Sequence, residues 1–353
     1  MLNRTNDSFT SMSSGPVQQQ IDMPVAKLIA ELLKIYGPVV LLLFGLPGNI
    51  LSYVVMNQEQ FRHTTTSFFI CTLSVCDNGY LISRCLQRFL LVTFLRPMLV
   101  DWNALGVFCI EYHCTLRFTA AASRYVLVLM TYDRLVALLF PLQVRAYPTM
   151  KVAKTLTFIA LFLAFLEGCF YLLAEYSSEL SHWLCPYYFP VSLRDLYTLY
   201  MNVTTATTCG LLIIANVLIA WSLYSNAHRM KLLQEDKGTL SKTEALQQRS
   251  IKNRQISLML LLISCFFLIS NFPREFNSQF WLRNAALKRM FPDLRSLSLE
   301  SAIFIEAANY AVNFYLYVAS CRKFRITLSR KFSMDGKQKS KPKVIPTDAS
   351  DRE

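Results

Sequence analysis

The sequence predicts an all-α membrane protein: a bundle of seven transmembrane helices and a short amphipathic eighth helix. Three observations carry that prediction. Hydrophobic residues fill 53% of the 353 positions and charged ones only 17%, against about a quarter in a soluble domain. The apolar residues clump into seven runs, near 36–57, 67–93, 108–140, 152–174, 197–225, 255–282 and 299–320, each long enough to cross a bilayer. A net charge of +13 at this apolarity requires the charge to be segregated along the chain. That combination excludes a simple soluble enzyme and a disordered chain. A nucleic-acid partner is excluded too, because it needs a basic face on a soluble fold.

Taken in order, residues 1–35 form a polar arm without the basic, apolar and cleavage-site pattern of a signal peptide, so the first span is expected to act as its own insertion signal. Asn3 and Asn6 each begin a glycosylation tripeptide, which suits an extracellular arm. Lys and Arg support that orientation: the segments then inside carry 21 of the 36, and the segments outside carry 9. The expected organisation is an extracellular arm (1–35), a seven-span domain (36–320), an amphipathic helix (321–332) and a cytoplasmic tail (333–353). The third inside loop, near 226–255, is expected to extend the fifth and sixth helices. Its basic residues serve topology, lipid headgroups or an intracellular partner.

Polar residues inside spans are costly and mark function. Span three ends in Thr131-Tyr132-Asp133-Arg134-Leu135, an ionic pair at the inner membrane edge. Counting back 25 residues, about 37 Å of helix, reaches Cys109 at the outer end. The outer face is oxidising, so Cys109 and Cys185 of the second outside loop can pair, with Cys114 as a competitor one turn deeper.

Together these features resemble the rhodopsin-like G-protein-coupled receptors. The resemblance runs over about residues 36–332 and rests on the joint order of short motifs: Gly48-Asn49, Leu73-x-x-x-Asp77, Cys109, Asp133-Arg134, Phe267 with Pro273, Asn313-Phe314-x-x-Tyr317, and Phe324 in a basic stretch. The general texture is similar to that of invertebrate neuropeptide receptors of the FMRFamide and thyrotropin-releasing-hormone type. The resemblance implies a plasma-membrane receptor that couples an extracellular ligand to a heterotrimeric G protein, with arrestin as a further partner, lipid around it and no cofactor. It places Asp133, Arg134, Phe267, Asn271, Pro273 and Tyr317 in the activation switch. It places Asp77, Ser123, Asn309 and Asn313 at an allosteric sodium site. An oxygen-rich cage suits a hard cation, and the same residues also suit a hydrogen-bonded cluster without an ion.

The chain departs from the family at several points. Leu135 replaces an aromatic, Asn271 the Trp of a Trp-x-Pro switch, and Phe314 a proline; span four lacks its Trp and span five its Pro. Leu116 stands where amine-binding members carry Asp, and Ala307 where opsins carry the retinal lysine. The outer half instead offers Arg84, Arg88, Glu111, Arg117, Arg274 and Glu306. These read either as an internal salt-bridge network or as a wide mixed-charge pocket for a short peptide. A small anionic ligand and a transporter are the alternatives; no internal repeat supports a transporter. His63, His113, His182 and His228 lack metal-ligand spacing, and no phosphate loop or nucleophile elbow is present, so no enzyme is expected. Cys321, near the membrane, is a lipidation candidate.

Overall fold

The computed structural model describes residues 23–87, 102–140, 149–173, 175–176, 187–188, 190–235 and 240–339. Seven long helices form the bundle: α1 Pro24–Met56, α2 Thr65–Leu81, α3 Trp102–Leu139, α4 Thr149–Cys169, α5 Val191–Glu235, α6 Leu240–Arg283 and α7 Pro292–Ser320. A π-helical stretch, Ile82–Gln87, continues α2, a 3₁₀ turn, Phe170–Leu173, continues α4, and a short helix, Ala285–Met290, precedes α7. The last helix, α8, spans Arg322–Lys339. Asn3, Asn6, Arg88 and Cys185 lie outside the described residues.

Helix α1 starts at Pro24, well before the apolar run that marks the first span. Proline suits the first helical turn, where its missing N–H has no partner to lose. The chain that follows, with Ala26, Lys27, Leu28, Ala30, Glu31 and Leu32, is made of strong helix formers and carries the helix beyond the apolar stretch. Helices α5 and α6 run on to Glu235 and from Leu240, so the third loop is largely helical extension, as expected.

Among the described residues, α1, α4, α5 and α6 each contain a stretch long and apolar enough to cross a membrane alone. Helices α2, α3 and α7 carry the buried Asp77, Thr131 and Glu306, and α3 also holds Arg124 and Asp133. Their polar groups dilute the hydropathy because these helices face one another. Apolar side chains point outward instead on the surrounding helices: Phe158, Trp221 and Phe272 are 72%, 62% and 67% exposed. An apolar exterior is what a bundle dissolved in lipid requires.

Close packing of α1 on α7 depends on small residues. A Cβ on Gly45 would lie 2.8 Å from the Ala311 Cβ, and one on Gly48 would lie 3.0 Å from the Phe314 Cβ. Backbones approach this closely in membranes only where side chains are missing, since lipid exclusion alone does not drive helices together. The largest apolar core joins Met56, Phe69, Met130, Leu260, Tyr317 and Phe324 at the Arg134 end of the bundle. Phe324 anchors α8: it is fully buried, with its ring 5.9 Å from Phe314 and 5.7 Å from Tyr317. Cys321 is itself buried in this core, so its thiol is not offered to the bilayer for lipidation. At the Cys109 end, Glu175–Tyr176 pairs antiparallel with Tyr187–Tyr188 in a short two-stranded ladder.

Candidate functional site

Helix α2 carries Asp77 into the middle of the bundle, where it is 1% exposed. The Ser123 hydroxyl on α3 donates to Asp77 Oδ1 at 2.6 Å, and Asn313 Nδ2 on α7 donates to Oδ2 at 2.7 Å. Asn49 on α1 donates to the Tyr310 carbonyl at 2.9 Å. Three helices thus meet on one carboxylate, and α1 is tied to α7 through the Tyr310 carbonyl. Three of the four residues named for an ion site are joined directly, and the fourth, Asn309, is buried one turn from Asn313. The oxygens Asn49 Oδ1, Asn309 Oδ1 and Asn313 Oδ1 are buried with no hydrogen-bond partner. Buried acceptors without donors, grouped with a carboxylate, fit a hard cation. One turn toward the Cys109 end, the Tyr80 and Tyr310 rings stack with centroids 3.6 Å apart.

At the other end of α3, Arg134 closes on its neighbour: Nη2 and Nε donate to Asp133 Oδ2 at 2.7 and 3.1 Å. Sequence reading missed the third member. Thr65, at the start of α2, accepts from Arg134 Nη2 and donates to Asp133 Oδ2, both at 2.9 Å. Thr64 caps α2 by accepting from the Ser67 N–H, which fixes the neighbouring Thr65.

Toward the Cys109 end, α3, α5, α6 and α7 enclose a cavity of about 250 Å³, with Tyr80 and Tyr310 also in its walls. Of the six residues expected at a ligand pocket, Arg117, Arg274 and Glu306 line it. Arg274 on α6 bonds both carboxylate oxygens of Glu306 on α7. Arg117 holds its guanidinium 5.4 Å from the Tyr171 ring centre. Two expectations are corrected. Arg84 lies in a separate small crevice with Leu41, Phe304 and Glu300. Glu111 is exposed, bonds Thr115 Oγ1 at 3.1 Å and does not line the cavity.

The cavity also has a charged wall that sequence reading did not single out. Arg124 Nη2 donates to Glu167 Oε1 and Oε2 at 2.9 and 3.2 Å, and the Tyr125 hydroxyl donates to Oε2 at 2.9 Å. A signal was there: Glu167 is the one acidic residue of α4, and a lone arginine directly after Ser123 in mid-span requires such a partner.

A profile of the 7 transmembrane receptor (rhodopsin family) matches residues 48–322, well over half of the sequence. The chain belongs to the rhodopsin family of G-protein-coupled receptors. It is therefore a membrane signalling receptor rather than an enzyme. Among solved structures it is similar to the crystal structure of squid rhodopsin, with a TM-score of 0.63 and 15% identity, over 90% of this chain and 88% of that one. That likeness concerns the fold. No curated protein matches it in sequence.

The receptor compensates for its departures from the family pattern by packing and hydrogen bonding. Leu135 is buried against Ala215 and Ile219 of α5. Phe314 fills the space left by Gly48 and reaches Phe324. In α5, Asn216 accepts from Ser264 on α6 at 2.7 Å. Asn271 lines the cavity and donates to the Phe267 carbonyl at 2.8 Å, which also accepts from Ser270 at 3.1 Å. Two side-chain donors on one helical carbonyl, six residues before Pro273, weaken the local ladder and favour a bend there. Tyr317 is buried in the core behind Phe324, and its hydroxyl has no partner.

Proposed function

We propose that the receptor responds at the plasma membrane to a short extracellular peptide. The observation that supports this is the cavity at the Cys109 end, walled by Arg117, Arg274 and Glu306 and large enough for one or two side chains. The arm with Asn3 and Asn6 then lies outside, the tail lies in the cytoplasm, and α8 rests on the inner leaflet. Cys109 is disulfide-bonded, and we assign Cys185 as its partner; Cys114 is free. Ligand binding favours a second arrangement of the helices. Helix α6 pivots near Pro273, Arg134 leaves Asp133, and the opened cleft admits a G protein and then arrestin.

The test is a peptide library screened on cells carrying a promiscuous G protein. The expected result is a potent short peptide that drives nucleotide exchange; small carboxylates acting alone would sink the peptide reading.

The Asp77 cluster supports an allosteric sodium ion held by Asp77, Ser123, Asn309 and Asn313. Replacing potassium by sodium is expected to raise the unfolding temperature of the parent and to leave Asp77→Asn unmoved. An equal rise in both would refute the site.

A further inference from the structure

Charge is spread unevenly around the cavity. On one wall, Arg124 gives both of its bonds to Glu167 from Nη2, and the pair is closed off, with side chains only 13% and 2% exposed. On the other, the pairing is again through one nitrogen, but the arginine is open. Both bonds from Arg274 to Glu306 leave from Nη1, and among the described residues no hydrogen bond engages its Nε or Nη2. The Arg274 side chain is 31% exposed and Glu306 only 7%, so the guanidinium presents an open edge to the cavity that it lines. Arg117 lines the same cavity, its guanidinium over the Tyr171 ring. Besides the Arg124–Glu167 pair, the lining therefore carries two cations, Arg117 and Arg274, with the carboxylate of Glu306. Glu275 adds a negative charge to the lining, near Cys209 of α5.

Resting on the receptor reading above, we propose that this cavity seats an anionic group of the ligand, a carboxylate or a phosphate ester, on the open edge of Arg274 with Arg117 beside it. A guanidinium offers two parallel N–H donors along one edge, and planar oxyanions match that spacing. The incoming anion competes with Glu306 for Arg274. Because Arg274 adjoins Pro273, loosening its bond to α7 acts at the pivot of α6.

The test uses the purified full-length receptor in detergent and reads thermal unfolding against concentration of four probes. N-acetylphenylalanine supplies a carboxylate, phenyl phosphate an ester, N-acetylphenylalanine amide a neutral shape match, and phenylalanine amide a cation. The carboxylate, the ester or both are expected to raise the unfolding temperature saturably, and which of them does so identifies the source of the anion. The neutral and cationic probes are expected to leave it unchanged. Arg274→Gln should weaken the anion about tenfold or more, the loss of one charge-assisted pair. Glu306→Gln should tighten it, because the competing carboxylate is gone, and Arg62→Gln at the far end should change nothing. Equal stabilisation by the neutral amide, an unchanged anion response in Arg274→Gln, or no response to any anion would each overturn the proposal. Failure of the receptor reading shows elsewhere, as a peptide screen with no nucleotide exchange while anion binding persists.

Discussion

Glu167→Gln is expected to destabilise the receptor by about 3–5 kcal/mol, because it strips the charged partner from a buried arginine. Arg124 has no other acidic partner among the hydrogen bonds of the described residues, and both of its bonds end on Glu167. The glutamine can still accept from Tyr125, so the loss comes from the charge and the desolvated guanidinium rather than from shape. Replacing both partners, as Arg124→Met with Glu167→Leu, should return most of the stability, since the ion pair itself contributes little over an apolar pair of similar volume. Thermal unfolding of detergent-purified protein, followed by thiol-reactive dye, reads both results. Equal unfolding temperatures for Glu167→Gln and the parent would show that the pair is dispensable to the fold.

Arg134→Ala is expected to abolish nucleotide exchange while leaving surface expression intact. The geometry adds a second, opposite outcome. Thr65 holds both members of the lock, accepting from Arg134 and donating to Asp133. Thr65→Val keeps the shape and removes both bonds, so it should raise ligand-free exchange by about 5–30-fold, the shift that 1–2 kcal/mol produces. Measuring GTP analogue binding in membranes from the parent and both variants separates the roles. Normal exchange in Arg134→Ala sinks the coupling role, and unchanged basal exchange in Thr65→Val sinks the lock.

Parts of the site were legible because they depend on distance along one helix. Asp133 and Arg134 are neighbours, and Ser123 lies eleven residues before Arg134 at a depth that helical rise predicts. Other parts failed for a reason of helical phase. Arg117 and Arg124 are seven apart and share a face, whereas Glu111 is six from Arg117 and falls about 120° away around α3. Arg84 sits within the π-helical stretch Ile82–Gln87, which adds a residue to a turn and displaces the face that a 3.6-residue period assigns.

The sequence by itself determined the seven spans, the extended fifth and sixth helices, the amphipathic eighth helix, and the places of Asp77 and Arg134 along their helices. Those follow from local hydropathy, helical rise and short motifs, which the chain carries without reference to its partners. Only the tertiary structure decided which charges meet: Arg124 with Glu167 across α3 and α4, Arg274 with Glu306 across α6 and α7, and Thr65 with both Asp133 and Arg134. Those pairings depend on the rotation and crossing of helices, set by close contacts such as Gly45 against Ala311, and a buried charge takes whichever opposite charge that packing brings within reach.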